Sequence, residues 1–161
     1  VVTNVARMME VNPDATEDEV KAFVESQVRR IRFAFIPGDL EYLRAGGRLS
    51  NVAFLGATLL RIKPTVEVLD GKLVATKKRR GAMVKCVGQL VEDFVTREPM
   101  DLSRVNLTYT VGNAPDPIIR ALVEKILRDY GAQEIEWVKS GCVIASHSGP
   151  GAFGIAAVAA E

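Results

Sequence analysis

A short hairpin in the middle of the chain most restricts the folds that are open to it. Residues 65–69 and 72–76 are two runs of strand-forming residues, and only Asp70 and Gly71 separate them. Asp-Gly is a preferred pair in the tight primed turns that join antiparallel strands, because both turn positions need positive φ. The pattern therefore predicts an antiparallel hairpin and excludes a sheet built only from parallel strands.

Helical and extended patterns alternate along the rest of the chain. Apolar spacing, a capping-box pattern at Thr16 and Glu19 and the proline at 117 predict helices at about 16–31, 39–45, 51–61, 80–97 and 117–130. Short apolar or alternating runs predict further strands at 33–36, 105–110, 135–138, 142–146 and about 153–159. Together these elements predict an α/β fold of two layers, a mixed sheet of about six strands with helices mainly on one face.

The composition narrows the classes of function. Hydrophobic residues make up 48% of the 161 residues, which is enough for a packed single-domain core. No apolar run reaches the roughly 20 residues of a membrane span, and 21 basic against 20 acidic residues give no general attraction to nucleic acid. One histidine and two distant cysteines, Cys86 and Cys142, argue against a metal site. We expect two buried thiols and a cytoplasmic protein without nucleic-acid partners.

The only histidine, His147, lies in a polar segment between two apolar runs. We predict that a strand ends here and delivers the imidazole to a surface cleft. Gly149 and Gly151 allow positive φ and a close approach of the backbone, while Ser148 adds a hydroxyl. An imidazole, hydroxyls and backbone N–H groups suit the oxygens of a carboxylate or phosphate. The alternative is a hairpin turn with a solvated histidine.

A second segment, residues 39–50, adds a cationic candidate. Asp39 predicts the cap of a short helix, and Gly46 or Gly47 predicts its end. Arg48 follows this glycine pair, where its guanidinium can fork onto a carboxylate or phosphate. The alternative is an arginine that bonds a carbonyl at the helix end or extends into solvent.

Together with two further segments, these motifs resemble a known family. D-L-E-Y-L-R-A-G-G-R-L-S, L-L-R-I-K-P-T, K-K-R-R-G-A-M and H-S-G-P-G-A-F-G-I follow one another along the chain. They resemble the C-terminal half of the DegV family, which includes the fatty-acid-binding subunit of bacterial fatty acid kinase. The resemblance implies a DegV C-terminal α/β domain over residues 15–161 and a remnant of the preceding domain or linker over 1–14. The chain begins at Val1 and not at methionine, and we expect a fragment from which the family's N-terminal domain is absent.

The resemblance also implies a function. It predicts a lipid carrier that buries a long-chain fatty acid and presents its carboxylate to a separate kinase subunit, with no cofactor and no catalysis of its own. Its partners would be the fatty acid, the kinase and its own N-terminal domain. Apolar surface left uncovered in this chain would favour self-association. We expect weak or no fatty-acid binding by this chain alone.

Site residues follow from the same resemblance. His147 matches a histidine beside the carboxyl or acyl phosphate, Arg48 matches a neighbouring arginine, and Ser148, Gly149 and Gly151 shape the loop around them. Arg79, or Arg80 one residue on, matches an arginine implicated in docking to the kinase; the alternative is a solvated strand end. The candidates for lining the acyl tunnel, which could equally be ordinary core residues, are Leu55, Leu59, Leu60 and Ile62.

Two other classes of function stay open. One is a hydrolase or acyltransferase with His147 as base and Ser146 or Ser148 as nucleophile, although no G-x-S-x-G elbow is present. The other is a regulatory or protein-interaction module that binds no lipid and uses the basic residues 77–80 to contact a partner.

Overall fold

The computed structural model describes residues 1–48, 62–110 and 116–160. Its helices are α1 (Val2–Val11), α2 (Glu17–Arg30), α3 (Leu40–Ala45), α4 (Met83–Thr96), α5 (Pro117–Asp129) and α6 (Cys142–Ser148). Its strands are β1 (Ile31–Ile36), β2 (Ile62–Leu69), β3 (Lys72–Arg80), β4 (Met100–Tyr109), β5 (Glu134–Lys139) and β6 (Phe153–Ala159). The helix predicted at 51–61 lies outside the described residues.

The strands form one mixed sheet in the order β3-β2-β1-β6-β4-β5. Strands β4 and β5 are parallel, and every other neighbouring pair is antiparallel. The turn between β2 and β3 has φ of 49° at Asp70 and 73° at Gly71, as the primed turn requires. The predicted hairpin and the predicted mixed sheet of six strands are therefore confirmed.

The hydrophobic core lies on one face of the sheet, which we call the core face. Helices α4 and α5 pack here against residues that alternate along β1, β4 and β6, and helix α5 begins at Pro117 as predicted. The fully buried side chains at this contact include Val87, Val91, Leu107, Leu127 and Ile155.

The opposite face, which we call the second face, carries the alternate residues of the same strands. Phe33 and Phe35 on β1 stack with their ring centroids 5.7 Å apart, and Gly154 of β6 lies beside both. Helix α6 lies against this face and packs on α3. The large helices of the core thus occupy one face, and shorter elements leave room for a site on the other.

The strand predicted at 142–146 is wrong, because these residues form helix α6. Val143 and Ile144 favour a strand intrinsically, but both are more than half exposed and no neighbouring strand pairs with them. The hydroxyls of Ser146 and Ser148 donate instead to carbonyls one turn earlier in the helix. The same helix places Cys142 in solvent, so the prediction of two buried thiols holds only for Cys86.

The predicted capping box at the start of α2 is confirmed. The Thr16 side chain accepts a hydrogen bond from the Glu19 backbone, and the Glu19 carboxylate accepts one from the Thr16 N–H at 2.8 Å. This backbone hydrogen bond, with that from the Thr16 hydroxyl, lowers the pKa of Glu19 below its usual value. Within the ranges given above, no helix combines the length and apolar character needed to cross a membrane.

Candidate functional site

A largely apolar cavity of about 190 Å³ opens on the second face of the sheet, and we call it the apolar cavity. Strands β1, β2, β3, β4 and β6 supply its floor, and helices α3 and α6 with the adjoining loops supply the rest of its wall. Its apolar lining includes Phe33, Phe35, Leu43, Val68, Leu73 and Ile144. Such a lining suits a hydrocarbon chain better than a polar ligand.

Most polar groups around this cavity are satisfied within the protein. The hydroxyls of Thr108 and Ser140 lie 2.6 Å apart, and the Ser148 hydroxyl donates to the carbonyl of Ile144 at 2.7 Å. Thr110 donates to the Gly149 carbonyl at 2.6 Å and accepts from the Ala152 N–H at 3.0 Å. These hydroxyls therefore hold the wall together, and their hydrogen-bonding capacity is largely used before a ligand arrives.

His147 differs from these hydroxyls. It lies in the last turn of α6 and lines the apolar cavity, but its buried Nδ1 atom has no hydrogen-bond partner in the described part of the chain. The ring packs on Gly46 so closely that a Cβ at position 46 would lie 2.3 Å from Nδ1. An imidazole with unused polar capacity at the edge of an apolar cavity is the main candidate for binding a ligand head group.

The loop after α6 is held tightly against the start of α3. Gly149 and Gly151 have φ of 74° and 76°, as the sequence predicted. A Cβ at Gly38 would lie 1.8 Å from the Pro150 carbonyl oxygen, and the Gly38 N–H donates to the Ser148 carbonyl at 2.9 Å. Glycines on both sides of the contact thus let the two backbones meet and fix α6 beside α3.

Arg48 reaches the same place from the other side. Its guanidinium is exposed and donates to the carbonyl of Gly46, the residue on which the His147 ring packs. The structure therefore shows the helix-end contact that the sequence left as an alternative. The structure also shows that Arg48 and His147, the two residues predicted to bind the ligand head group, both contact Gly46.

The acyl-tunnel candidates have a different outcome. Leu55, Leu59 and Leu60 lie outside the described residues, and Ile62 on β2 lines a separate groove beside the basic residues 77–80. Phe33 and Phe35 are not among the residues predicted from the sequence to line a tunnel. The sequence does contain a pattern that could have identified them, because residues 33–36 are apolar at every position, which indicates a strand covered on both faces.

Arg79, the first candidate for kinase docking, points into the protein. Its side chain is 6% exposed and donates to the Thr65 hydroxyl at 2.8 Å and to the Asp93 carboxylate at 2.6 Å. Burial raises the pKa of Asp93, but hydrogen bonds from Arg79 and Lys77 outweigh this effect and hold the pKa below its usual value. Arg80 is exposed and remains the accessible candidate.

Neither Ser146 nor Ser148 forms the hydrogen bond to His147 that a serine nucleophile would need in the described structure. The hydroxyls of Ser146 and Ser148 donate to the carbonyls of Val143 and Ile144, and neither bonds His147 in the described structure. A hydrolase mechanism would need one of these hydroxyls to donate to the imidazole. The hydrolase alternative therefore has no support from the arrangement of these side chains.

Comparison with known families finds one that matches nearly the whole chain. Residues 1–160 match the family described as "Uncharacterised protein, DegV family". A DegV domain-containing protein of Clostridium acetobutylicum is 35% identical over 144 residues, which cover 86% of this chain and 47% of the relative. The chain thus spans about half the length of the curated relatives that it matches.

Solved structures share the fold. A fatty-acid-binding DegV family protein from Thermus thermophilus aligns over 99% of this chain and 55% of its own, with 29% identity and a TM-score of 0.75. The fatty acid kinase B3 protein of Streptococcus pneumoniae, loaded with linoleic acid, aligns over 99% of this chain and 56% of its own. Its TM-score of 0.80 at 16% identity shows a common fold alone.

Proposed function

The chain belongs to the DegV family, and we propose that it is the part of a fatty-acid-binding protein that encloses the acyl chain and orients its carboxylate. One observation carries this proposal: His147, with an unpartnered buried nitrogen, lies at the edge of an apolar cavity on the second face. The fatty-acid binding named for the Thermus relative supports the same class of ligand. Residues 15–161 would form the C-terminal domain of the whole protein.

The apolar cavity supplies the affinity in this proposal. A cavity of about 150 Å³ holds a six-carbon benzene ring, so a space of about 190 Å³ holds roughly seven or eight carbons. At about 0.8 kcal/mol per buried methylene, this segment contributes about 6 kcal/mol to binding. The contribution of the polar groups would then be mainly orientation of the head group.

The head group would lie beside His147. A hydrogen bond between the imidazole and a carboxylate oxygen would satisfy the unpartnered nitrogen, which otherwise carries the cost of burial without a partner. Arg48, joined to His147 through Gly46, would accept the added negative charge of an acyl phosphate. Ser148 and Gly149 would hold the loop in place through their carbonyls, which now accept hydrogen bonds from the Gly38 N–H and the Thr110 hydroxyl, and Gly151 would allow the turn.

The rest of the whole protein would cover the outer side of this cavity. Val68, Leu73 and Ile144 line it but are 40%, 49% and 55% exposed in this chain. Covering these side chains with an N-terminal domain would lengthen the apolar enclosure and shield the ligand from water. This chain without that cover would bind fatty acid weakly and would tend to self-associate.

We further propose that the carrier presents its ligand to a separate cytoplasmic kinase subunit and carries out no chemistry itself. The exposed Arg80, at the end of β3, would contact the kinase, while the buried Arg79 would hold β3 against α4. In this arrangement the kinase supplies the phosphoryl group, and the carrier supplies the bound and oriented carboxylate.

Lipid extraction from the full-length protein tests the binding proposal. The protein is purified, denatured and extracted, and the released lipid is identified by mass spectrometry, with this chain alone as comparison. We expect one equivalent of long-chain fatty acid from the full-length protein and little from the chain. Failure to recover any fatty acid, even after incubation with palmitate, would favour an interaction module that binds no lipid.

A matched pair of variants locates the ligand on the second face. Leu73 lines the apolar cavity, whereas Val74, the next residue of β3, points to the other side of the sheet. In the full-length protein, Leu73→Trp should reduce palmitate affinity about tenfold by filling the cavity, and Val74→Trp should leave it nearly unchanged. Equal losses in both variants would contradict this placement.

Charge reversal tests the docking proposal separately. With a kinase subunit and ATP, Arg80→Glu should slow formation of acyl phosphate, trapped with hydroxylamine, by about tenfold or more. Palmitate affinity should not change. Lys72→Glu, at the other end of the same strand, is the control and should be silent. Normal acyl-phosphate formation by Arg80→Glu would exclude Arg80 from docking.

A further inference from the structure

A second cavity, of about 360 Å³, lies on the same face of the sheet beneath helix α1. We call it the distal cavity. Unlike the apolar cavity, it is bordered by many polar side chains, including Asn4, Arg7, Asp101, Ser103, Arg104 and Asn106. The function proposed above uses none of these residues.

The two cavities are neighbours along the same strands. On β6, Gly154 borders the apolar cavity, and Ala156, two residues on, borders the distal one. Phe33, which lines the apolar cavity, pairs directly with Ala156 across the sheet. Asn106 pairs with Ala156 from the other side. The row formed by Phe33, Ala156 and Asn106 is therefore the boundary between the cavities.

The length of a fatty acid makes this boundary important. The apolar cavity holds only seven or eight carbons by the volume argument above, so a longer chain has to leave it. From Gly154 to Val158 along β6 the second face extends about 13 Å further, at roughly 3.3 Å per residue. A long acyl chain that follows the strands away from His147 would bring its tail to Asn106 and Arg104.

The hydrogen bonds of Arg104 indicate which chemical group at the end of an acyl chain would bind in the distal cavity. Its Nε atom is buried and has no hydrogen-bond partner within the described ranges. Its Nη2 atom donates to Glu136, and its Nη1 atom lies 3.8 Å from Glu134, which Arg7 also contacts. The positive charges are thus already balanced by carboxylates, while one N–H donor remains unused. A neutral oxygen acceptor fits this donor better than a second carboxylate.

We propose that the distal cavity binds an oxygenated acyl tail, and that the ligand class includes fatty acids with a hydroxyl at or near the ω end. This inference rests on the proposed fatty-acid function and adds a specificity to it. The tail hydroxyl accepts from Arg104 Nε and bonds the side chain of Asn106, while the methylenes cross the row at Phe33. A plain methyl end gains nothing from these polar groups and leaves the Arg104 Nε atom without a partner.

Competition binding on the full-length protein tests the proposal with three acids of equal length: palmitate, ω-hydroxypalmitate and the matching α,ω-dicarboxylate. We expect ω-hydroxypalmitate to bind about fivefold tighter than palmitate, which is the effect of one net hydrogen bond. The dicarboxylate should bind no tighter than palmitate. Tighter binding of the dicarboxylate would overturn the argument for a neutral tail.

Asn106→Leu, close to Asn in size, should reduce the preference for the hydroxy acid, because only the bond to Arg104 remains, and should leave palmitate affinity unchanged or higher. Gln89→Leu makes the same chemical change on the exposed surface of α4 and should keep the preference. If palmitate binds as tightly as the hydroxy acid to the unaltered protein, the distal cavity is not a tail site, although the carrier function stands. If no acid binds, both proposals fail.

Discussion

Gly46 shows how a single hydrogen atom in place of a side chain controls the site. The sequence marked Gly46 or Gly47 as the end of α3, and Gly46 is indeed the C-cap residue, with φ of −78°. That φ is accessible to any residue, so the backbone conformation does not require glycine here. The His147 ring does, because it occupies the space in which a Cβ would lie.

We predict that Gly46→Ala displaces the His147 ring without unfolding the protein. Fatty-acid affinity of the full-length protein should fall about tenfold, and the His147 imidazole resonances, assigned with His147→Gln, should shift. Gly141→Ala is the matched control, because Gly141 has φ of −67° and no neighbouring atoms where its Cβ would lie. It should keep full affinity. An unchanged imidazole spectrum in Gly46→Ala would contradict the packing described here.

At the scale of elements, buried polar contacts connect the hairpin to helix α4. Arg79 on β3 joins Thr65 on β2 to Asp93 on α4. Glu67 on β2 accepts from Thr76 on β3 at 2.6 Å and from Arg97, just after α4, at 2.5 Å. These contacts hold an edge hairpin in the sheet, where apolar burial is smaller than at β1 and β6.

Removing the buried guanidinium should weaken this connection. Arg79→Met is expected to lower the free energy of unfolding by about 2 kcal/mol, because two charge-assisted hydrogen bonds, one of them to a carboxylate, are lost. Lys78→Met, on the exposed neighbouring position of β3, should change it little. Urea unfolding of both variants gives the comparison. Similar small changes in the two variants would show that Arg79 is no more structural than a surface residue.

Glu67 makes stability depend on pH in a defined window. Burial raises its pKa, but the hydrogen bonds from Thr76 and Arg97 and the nearby positive charge outweigh burial, so the pKa of Glu67 is below its usual value of 4.5. The unfolded chain therefore binds a proton at this residue more readily than the folded protein does. The contribution of Glu67 to the free energy of unfolding is complete above about pH 4.5 and is lost as the pH falls through the lower pKa of the folded state.

We therefore expect the unfolding temperature of the protein to decrease as the pH is lowered below about 4.5. The decrease should be shallower in Glu67→Gln than in the unaltered protein. Glu25→Gln, on the surface of α2, should keep the original slope. Thermal unfolding measured at several pH values separates these cases. A slope unaffected by Glu67→Gln would mean that other carboxylates dominate.

At the scale of the whole molecule, local sequence motifs predicted the helices and strands, whereas the pairing of distant strands determines where the candidate site lies. The Asp70-Gly71 turn, the Thr16 cap and the start of α5 at Pro117 are set by nearby residues, and the structure confirms each. Helix α6 was missed, because a short apolar run fits a strand as well as a helix until its neighbours are known.

The apolar cavity shows the limit of a local interpretation. It depends on Gly154 of β6 lying beside Phe33 and Phe35 of β1, residues more than 100 positions away in sequence that meet only when β1 and β6 pair. His147 and Arg48, by contrast, were recognisable from their motifs, although the sequence did not show that both would contact Gly46.

The central claim is that the second face holds the fatty acid with its carboxyl end at His147. The most direct test is a crystal structure of the full-length protein with α-bromopalmitate, whose bromine is located by anomalous scattering. We predict an anomalous peak in contact with His147, at the edge of the apolar cavity, and acyl density over Phe33 and Phe35. Bromine on the core-face side, or in the groove beside residues 77–80, would contradict the account.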